Sequence, residues 1–504
     1  MGTLVKAAQA FLIGLVSILS PSSSFGQSDD LAMKSQRARE FMADGKFAEA
    51  VPLYRELNQA VPNNPGLLLN LGMALHMAGD ERNSIPQLQA AVKLDPKLAP
   101  AWLFLGAARL QLGKAPAAVE ALKMVLGLQP DHRGALEMLA GALLSFDRAA
   151  EAADQYRKLA DLDAESSPAW YGLGRSYESL SVRAFDELQK TAPESGYWLA
   201  LVADARLRDQ QFSSAFFLYH RALEKAPAIR GLHAAVGEIY RQTEHPVWAK
   251  TEEEKELRLP QPDCRTQAFE CQFREGQFST LAAATKGVNT PESLYWRSRA
   301  LNELALQAYT RLGQLSPSLE QHELKANIYS GQKRYDEAAT EWREALKLSP
   351  TDKQVQKQLA ISLKFSQDYS GALLILQSLL QGQPASAELN YLAAETLVDL
   401  QRVEEAIPLL KRALAHNPKL LAAHKTLARA FLAAERPAEA IPHLQAALAT
   451  DEDGSLHYQL ASAYRASGQP ALSKQALLEY QKLQRSALAA REAAKRDVEI
   501  ITPP

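Results

Sequence analysis

A fixed period runs through this 504-residue chain and limits its folds more than any other feature. Pro62, Pro96 and Pro130 are spaced by 34 residues, and Pro350, Pro384 and Pro418 repeat that spacing. Small residues share the register: Ala38, Gly72, Gly106, Ala140 and Gly174, then Ala326, Ala360, Ala394 and Ala428. A second small set keeps step with the first: Ala50, Ser84, Ala118 and Ala152, then Ala338, Ala372, Ala406 and Ala440. A chain this long exceeds what one hydrophobic core serves. A period of about 20–50 residues is the mark of a stacked array.

Alanine and leucine dominate, and aromatics make up only 7%, a helix-forming mixture. Each period therefore reads as two helices, with one small residue in each, so that their backbones approach closely. Leu71, Leu105, Leu139 and Leu173 fill the first helix beside them. Tyr54, Leu88, Leu122, Tyr156, Trp342, Leu376, Leu410 and Leu444 fill the second. The recurring proline ends each unit, because its ring and missing N–H stop a helix. Pro52, Pro86, Pro408 and Pro442 lie two residues after the second small residue. They are expected in the first turn of the second helix, where proline is tolerated.

These residues resemble the tetratricopeptide-repeat family. Its W-x2-L-G-x2-Y pattern stands complete in Trp170, Leu173, Gly174 and Tyr177, and partly in Trp102, Leu105 and Gly106. Its A-x3-aromatic element is matched by Ala50/Tyr54, Ala152/Tyr156, Ala215/Tyr219 and Ala338/Trp342. The likeness covers roughly residues 31 to 486. It implies an all-α fold, a right-handed α-α superhelix (solenoid) of about a dozen helix-turn-helix units. An N-terminal block is expected over 27–180, divergent units over 181–318 and a C-terminal block over 319–486. The end of a capping helix and a tail follow over 487–504. In the middle we expect a shortened unit from Ser181 to Pro193 and a compressed helical pair within 291–318. Irregular packing is expected near 255–290, where Leu259-Pro260-Gln261-Pro262-Asp263 interrupts the pattern.

Residues 1–26 read as a signal peptide: Lys6, an uncharged run from Ala7 to Leu19, then Ser24-Phe25-Gly26. The run is short for a membrane span; an uncleaved anchor is the alternative. The mature chain is expected from Gln27 onward, periplasmic or extracellular, without an integral membrane span. Cys264 and Cys271 then read as a structural disulfide. Two free thiols are the second reading. The spacing is not C-x-x-C, and no histidine lies nearby for a metal.

The balance of 56 basic and 58 acidic residues lacks the basic excess that nucleic acid binding requires. His322-Glu323 opens a zinc-peptidase-like motif, but Ala326 stands where its second histidine belongs. We expect no catalytic residue, metal or cofactor.

The resemblance implies that first helices line a concave face that takes peptides. Positions three before, one after and four after each small residue share one face. They give Lys357, Ile361 and Lys364; Tyr391, Glu395 and Val398; Lys425, Arg429 and Leu432; then Tyr458 and Arg465. Candidate peptide-binding residues are thus Lys357, Lys364, Tyr391, Glu395, Lys425, Arg429, Tyr458 and Arg465, a mildly electropositive groove. An ordinary solvated face is the plain alternative. The expected function is a non-enzymatic scaffold in the cell envelope with protein or peptide partners. Alternatives are an accessory factor of a secretion, surface-polymer export or outer-membrane assembly machine, and an enzyme with a regulatory repeat region.

Overall fold

The computed structural model describes residues 25–496 and 500–503, side chains from 29 to 489 and in the last four, and is all-α over that range. The expected signal peptide lies outside the described residues except for its last two. The first nine helices are α1 (Phe25–Ala43), α2 (Phe47–Ala60), α3 (Pro65–Met77), α4 (Glu81–Leu94), α5 (Ala99–Gln111), α6 (Ala115–Leu128), α7 (Arg133–Ser145), α8 (Ala149–Leu162) and α9 (Ser167–Thr191). Next come α10 (Gly196–Arg208), α11 (Phe212–Lys225), α12 (Leu232–Gln242), α13 (Pro246–Arg258), α14 (Ala268–Arg274), α15 (Phe278–Ala284) and α16 (Pro291–Gly313). The series continues with α17 (Leu319–Gly331), α18 (Tyr335–Leu348), α19 (Lys353–Phe365), α20 (Tyr369–Gly382) and α21 (Ala387–Asp399). It ends with α22 (Val403–His416), α23 (Leu421–Ala433), α24 (Pro437–Ala447), α25 (Ser455–Ala466) and α26 (Pro470–Arg496).

The small residues do what their spacing requires. A Cβ on Gly72 would stand 2.6 Å from Leu88 Cγ, and one on Gly106 2.8 Å from Leu122 Cγ. Where the second small residue is serine, its hydroxyl reaches the opposite backbone. Ser84 donates to Gly72 O and Ser473 to Ala461 O, both at 2.7 Å.

Two further positions recur with the period. The turn inside each pair carries a residue at positive φ: Gly45, Gly79, Gly113 and Asp147, then Lys333, Gln367, Gln401 and Glu435. That left-handed residue ends the first helix. The other position is an N–H donor in the first helix that reaches a carbonyl six residues back. Trp102 donates to Pro96 O, Trp170 to Ala164 O, Gln356 to Pro350 O and Asn390 to Pro384 O, all at 2.8–2.9 Å. His424 Nε2 does the same to Pro418 O at 3.1 Å.

The prolines are displaced from expectation. Pro52, Pro86, Pro408 and Pro442 lie inside their helices, at the sixth residue rather than in the first turn. Each strips a partner from the carbonyl four residues back, on Ala48, Arg82, Glu404 or Ala438. All four are exposed residues, where water serves as the donor.

The middle of the chain corrects the sequence reading most. Ser181–Pro193 is not a separate shortened unit: α9 runs unbroken from Ser167 to Thr191. Residues 291–318 are not a compressed pair either, since α16 is one helix of 23 residues. The two long helices pack against each other, antiparallel. A Cβ on Gly174 would lie 2.2 Å from Tyr309 Cε1, as Gly72 and Gly106 meet their leucines. Tyr309 donates to Glu178 Oε2 at 2.7 Å. Ser181 Oγ lies 2.9 Å from Ser298 Oγ, and Arg311 pairs with Glu165 at 2.7 Å. Leu173, Tyr177, Leu301, Leu304, Ala305 and Ala308 share one core. Gly174 in α9 and Ala305/Tyr309 in α16 are thus the two halves of one repeat, parted by an insertion.

The chain divides into two compact bodies. One holds residues up to Thr191 together with Pro262–Ser316. In it, α1–α8 form four consecutive pairs, α9 and α16 form the fifth, and α14 and α15 pack beside α16. Cys264 and Cys271 are disulfide-bonded in this body, at the start of α14. The other body holds Ala192–Gln261 and the described residues from Pro317 on. It contains the pairs α10/α11 and α12/α13 and the five pairs from α17 to α26. Among the described residues no helix is long and apolar enough to cross a membrane.

Candidate functional site

The candidate residues lie on the first helices α19, α21, α23 and α25 of the second body. Of these, α19 and α21 start where a side chain caps the free N–H groups. Asp352 accepts from Gln354 and Val355, and Ser386 from Leu389. Ala360, Ala394 and Ala428 are wholly buried against α20, α22 and α24. That burial turns the opposite face of each first helix outward and orders the charged residues along it.

Those charges are mostly matched. Lys357 Nζ bonds both carboxylate oxygens of Glu388, at 2.9 and 3.0 Å. Lys364 Nζ lies 2.6 Å from Glu395 Oε2 and 4.0 Å from Asp399 Oδ2. Arg429 reaches Asp399 Oδ1 at 3.1 Å. Tyr391 donates to the other oxygen of Glu395 at 2.7 Å. Burial pushes the Tyr391 hydroxyl far above its usual range, and the bonded Glu395 carboxylate adds to it. The phenol therefore stays protonated and keeps donating. The result is a polar ladder across three successive first helices. Lys364 is its most enclosed member, with a side chain 11% exposed.

The expected electropositive groove is accordingly less positive than the counting implied. Lys357, Lys364 and Arg429 are compensated by Glu388, Glu395 and Asp399. Sequence reasoning missed Glu388 and Asp399, though a signal existed in the 31- and 30-residue offsets at which opposite charges recur. Lys425 and Arg465 have no ion-pair partner among the described residues. Tyr458 is 53% exposed, with its ring 5.4 Å from that of Tyr480. It lines a cleft of about 470 Å³ with Leu432, Glu435, Pro437, Gln459 and Ser462. The eight candidates thus separate into a closed ladder and an open region on α23 and α25.

Behind α23 sits a histidine pair. His424 Nδ1 lies 2.9 Å from His443 Nδ1. Because His424 Nε2 donates to Pro418 O, its Nδ1 is the acceptor and His443 Nδ1–H the donor. Burial lowers the pKa of His443, and His424 and Lys411 lower it further.

Models of the tetratricopeptide repeat match residues 35–167, 320–352 and 366–460. Among curated proteins, the chain is 28% identical over 142 residues to a probable UDP-N-acetylglucosamine--peptide N-acetylglucosaminyltransferase SPINDLY of Hordeum vulgare. That match covers 27% of this chain and 15% of the relative. It is 27% identical over 129 residues to the heat-shock protein cognate co-chaperone sgt12 of Aspergillus fumigatus, covering 26% of this chain and 36% of that one. The chain thus spans well under half the length of either relative. Among solved structures, MamA is 23% identical, with a TM-score of 0.29, over 40% of this chain and 93% of that one. A tetratricopeptide repeat protein from Parabacteroides merdae is 13% identical, with a TM-score of 0.33, over 67% of this chain and all of that one. With the 34-residue register, the paired helices built on it and the matches in both halves, the chain belongs to the tetratricopeptide-repeat superfamily.

Proposed function

We propose that the protein is a non-enzymatic scaffold of the cell envelope that binds a protein or peptide partner on α23 and α25. The observation that carries this is the contrast along the first-helix face. The ladder from Lys357 to Arg429 satisfies its own charges. Lys425 and the exposed Arg465 have no ion pair among the described residues, and on the same two helices the half-exposed Tyr458 ring lines a largely apolar cleft. Such a surface suits a segment that offers an apolar side chain to the cleft and a carboxylate to the cations. Lys357, Lys364, Tyr391, Glu395 and Arg429 act in this reading as the rigid wall that holds the helices in register. Export is supported by the N-terminal pattern and by the Cys264–Cys271 disulfide, since such bonds persist in oxidising compartments.

The test compares the chain with a variant carrying Lys425→Glu, Tyr458→Ala and Arg465→Glu, both crosslinked in envelope extract and analysed by mass spectrometry. Specific partners of the unaltered chain are expected to drop out of the variant while its helix content is unchanged. The same partners recovered from both would refute this placement. A reporter active only outside the cytoplasm, fused at the C terminus, tests export directly.

A further inference from the structure

A second surface, on α12 and α13, already holds a non-helical stretch of this chain, residues 500–503. Tyr240 is fully buried, and its hydroxyl donates to the main-chain carbonyl of Ile501 at 2.7 Å across 261 residues of sequence. Ile500 and Pro503 on either side are partly buried, while the Ile501 side chain is 56% exposed. This terminal stretch is neither helix nor strand. Around Tyr240 stand Phe216 at 5.4 Å, Trp248 at 5.6 Å and His245 at 6.5 Å between ring centroids. His245 stacks on Trp248 at 4.2 Å, which fixes that edge of the cluster.

The chemistry of the contact is specific in one respect and permissive in another. A hydroxyl that reads a main-chain carbonyl accepts any residue at that position, but it demands an unpaired carbonyl, which the interior of a helix or sheet does not offer. Aromatic rings beside it favour aliphatic and proline side chains over charged ones. The sequence Ile500-Ile501-Thr502-Pro503 meets both conditions, with no charge and with a proline that prevents the segment from pairing into regular structure. Burial holds the Tyr240 hydroxyl up at about 12, so it remains a donor throughout the physiological range.

We propose that the surface around Tyr240 is a binding site for non-helical aliphatic–proline segments, with residues 500–503 as its tethered occupant. A partner segment of the same chemistry binds there by displacing the tail. This site is separate from α23 and α25 and does not depend on what they bind.

The experiment uses a fluorescent peptide with the sequence of residues 497–504. It is titrated by polarisation against the full chain, a chain ending at Glu499, and the shortened chain carrying Tyr240→Phe. The shortened chain should bind the peptide, and a peptide with both isoleucines replaced by aspartate should not bind. The full chain should bind at least about tenfold more weakly, because a tether holds the tail at about millimolar effective concentration. Tyr240→Phe should weaken binding by about fivefold, the worth of one neutral hydrogen bond. Lys425→Glu with Arg465→Glu in the shortened chain should change nothing, which separates this site from the first-helix surface. Failure of the shortened chain to bind, equal binding by the full and shortened chains, or no effect of Tyr240→Phe would each overturn the proposal.

Discussion

Replacing Gly174 with alanine tests whether a repeat is closed across the insertion. The added Cβ would stand 2.2 Å from Tyr309 Cε1 and 2.6 Å from Cδ1 and Cζ. Carbon atoms pack at about 3.5–4.0 Å, so the ring must retreat by more than 1 Å or the helices must separate. The ring has little freedom, since Glu178 holds its hydroxyl at 2.7 Å and Tyr171 lies 6.5 Å away. Overpacking of this kind costs about 1–3 kcal/mol. A lost hydrogen bond adds about 1 kcal/mol. The better helix propensity of alanine offsets about 1 kcal/mol. The net loss is about 2 kcal/mol, roughly thirty-fold in a local opening equilibrium. A repeat array has no single unfolding free energy, so the readout is hydrogen exchange resolved by segment. Peptides from both α9 and α16 should exchange faster together, although 131 residues separate Glu178 from Tyr309. Adding Tyr309→Leu, which gives this pair the side chain that meets Gly72 and Gly106, should restore much of the protection. Unchanged exchange in α16 on Gly174→Ala would refute the split repeat.

Other perturbations separate further contributions. Because the pKa of His443 is lowered on folding, chiefly by burial, its neutral form favours the folded state. Its stabilisation is complete above about pH 6.5 and is lost as pH falls from there toward the lower folded value. His424 and Lys411 add to the lowering of the His443 pKa and Glu439 opposes it, while Lys411 and Arg436 lie over the neighbouring Phe431 ring. Protection over α23 and α24, corrected for the intrinsic exchange rate at each pH, should therefore fall as pH is lowered from 7.5 to 5.5, and His443→Gln, which keeps a donor for His424, should flatten that response. Lys364→Met should cost about 1–3 kcal/mol in local stability, because it removes the cation from the enclosed Glu395 and leaves the Tyr391 hydroxyl to meet its charge. Lys357→Met should cost under about 1 kcal/mol, because its partner Glu388 is largely exposed; equal effects on exchange in α21 would contradict this ranking. Replacing both cysteines with serine should lower the stability of residues 262–284 by roughly 2–3 kcal/mol, with α1–α8 unaffected in the same exchange map.

What could be read from the sequence follows from which residues carry the packing. The small positions were legible because close helix contact leaves no substitute for Gly, Ala or Ser. The donor position was half legible. Trp102 and Trp170 look like a motif, but Gln356, Asn390 and His424 make the same bond with unrelated side chains. The repeat conserves an N–H aimed at a carbonyl, and several residue types supply one. The charge ladder was misjudged because each first helix was read alone. Its partners stand one repeat less three or four residues away, the stagger of neighbouring helices, so the 34-residue register does not line them up.

The split repeat has a different origin. Sixteen residues beyond the first small residue stands a large one: Leu88, which covers Gly72, Leu122, which covers Gly106, and Tyr156 after Ala140. The same step from Gly174 lands on Lys190, which is exposed and cannot serve. Between Tyr177 and Thr191 no glycine or proline ends α9, and none interrupts α16 from Glu292 to Leu312. An unstopped first helix leaves its half of the repeat uncovered. Farther along the chain, Ala305-x3-Tyr309 is a second half that the reading did not pair with any first helix. Each half is too apolar on its packing face to remain alone in water. The two halves must therefore find each other, and the insertion between them is free to build its own helix pairs, including the surface around Tyr240.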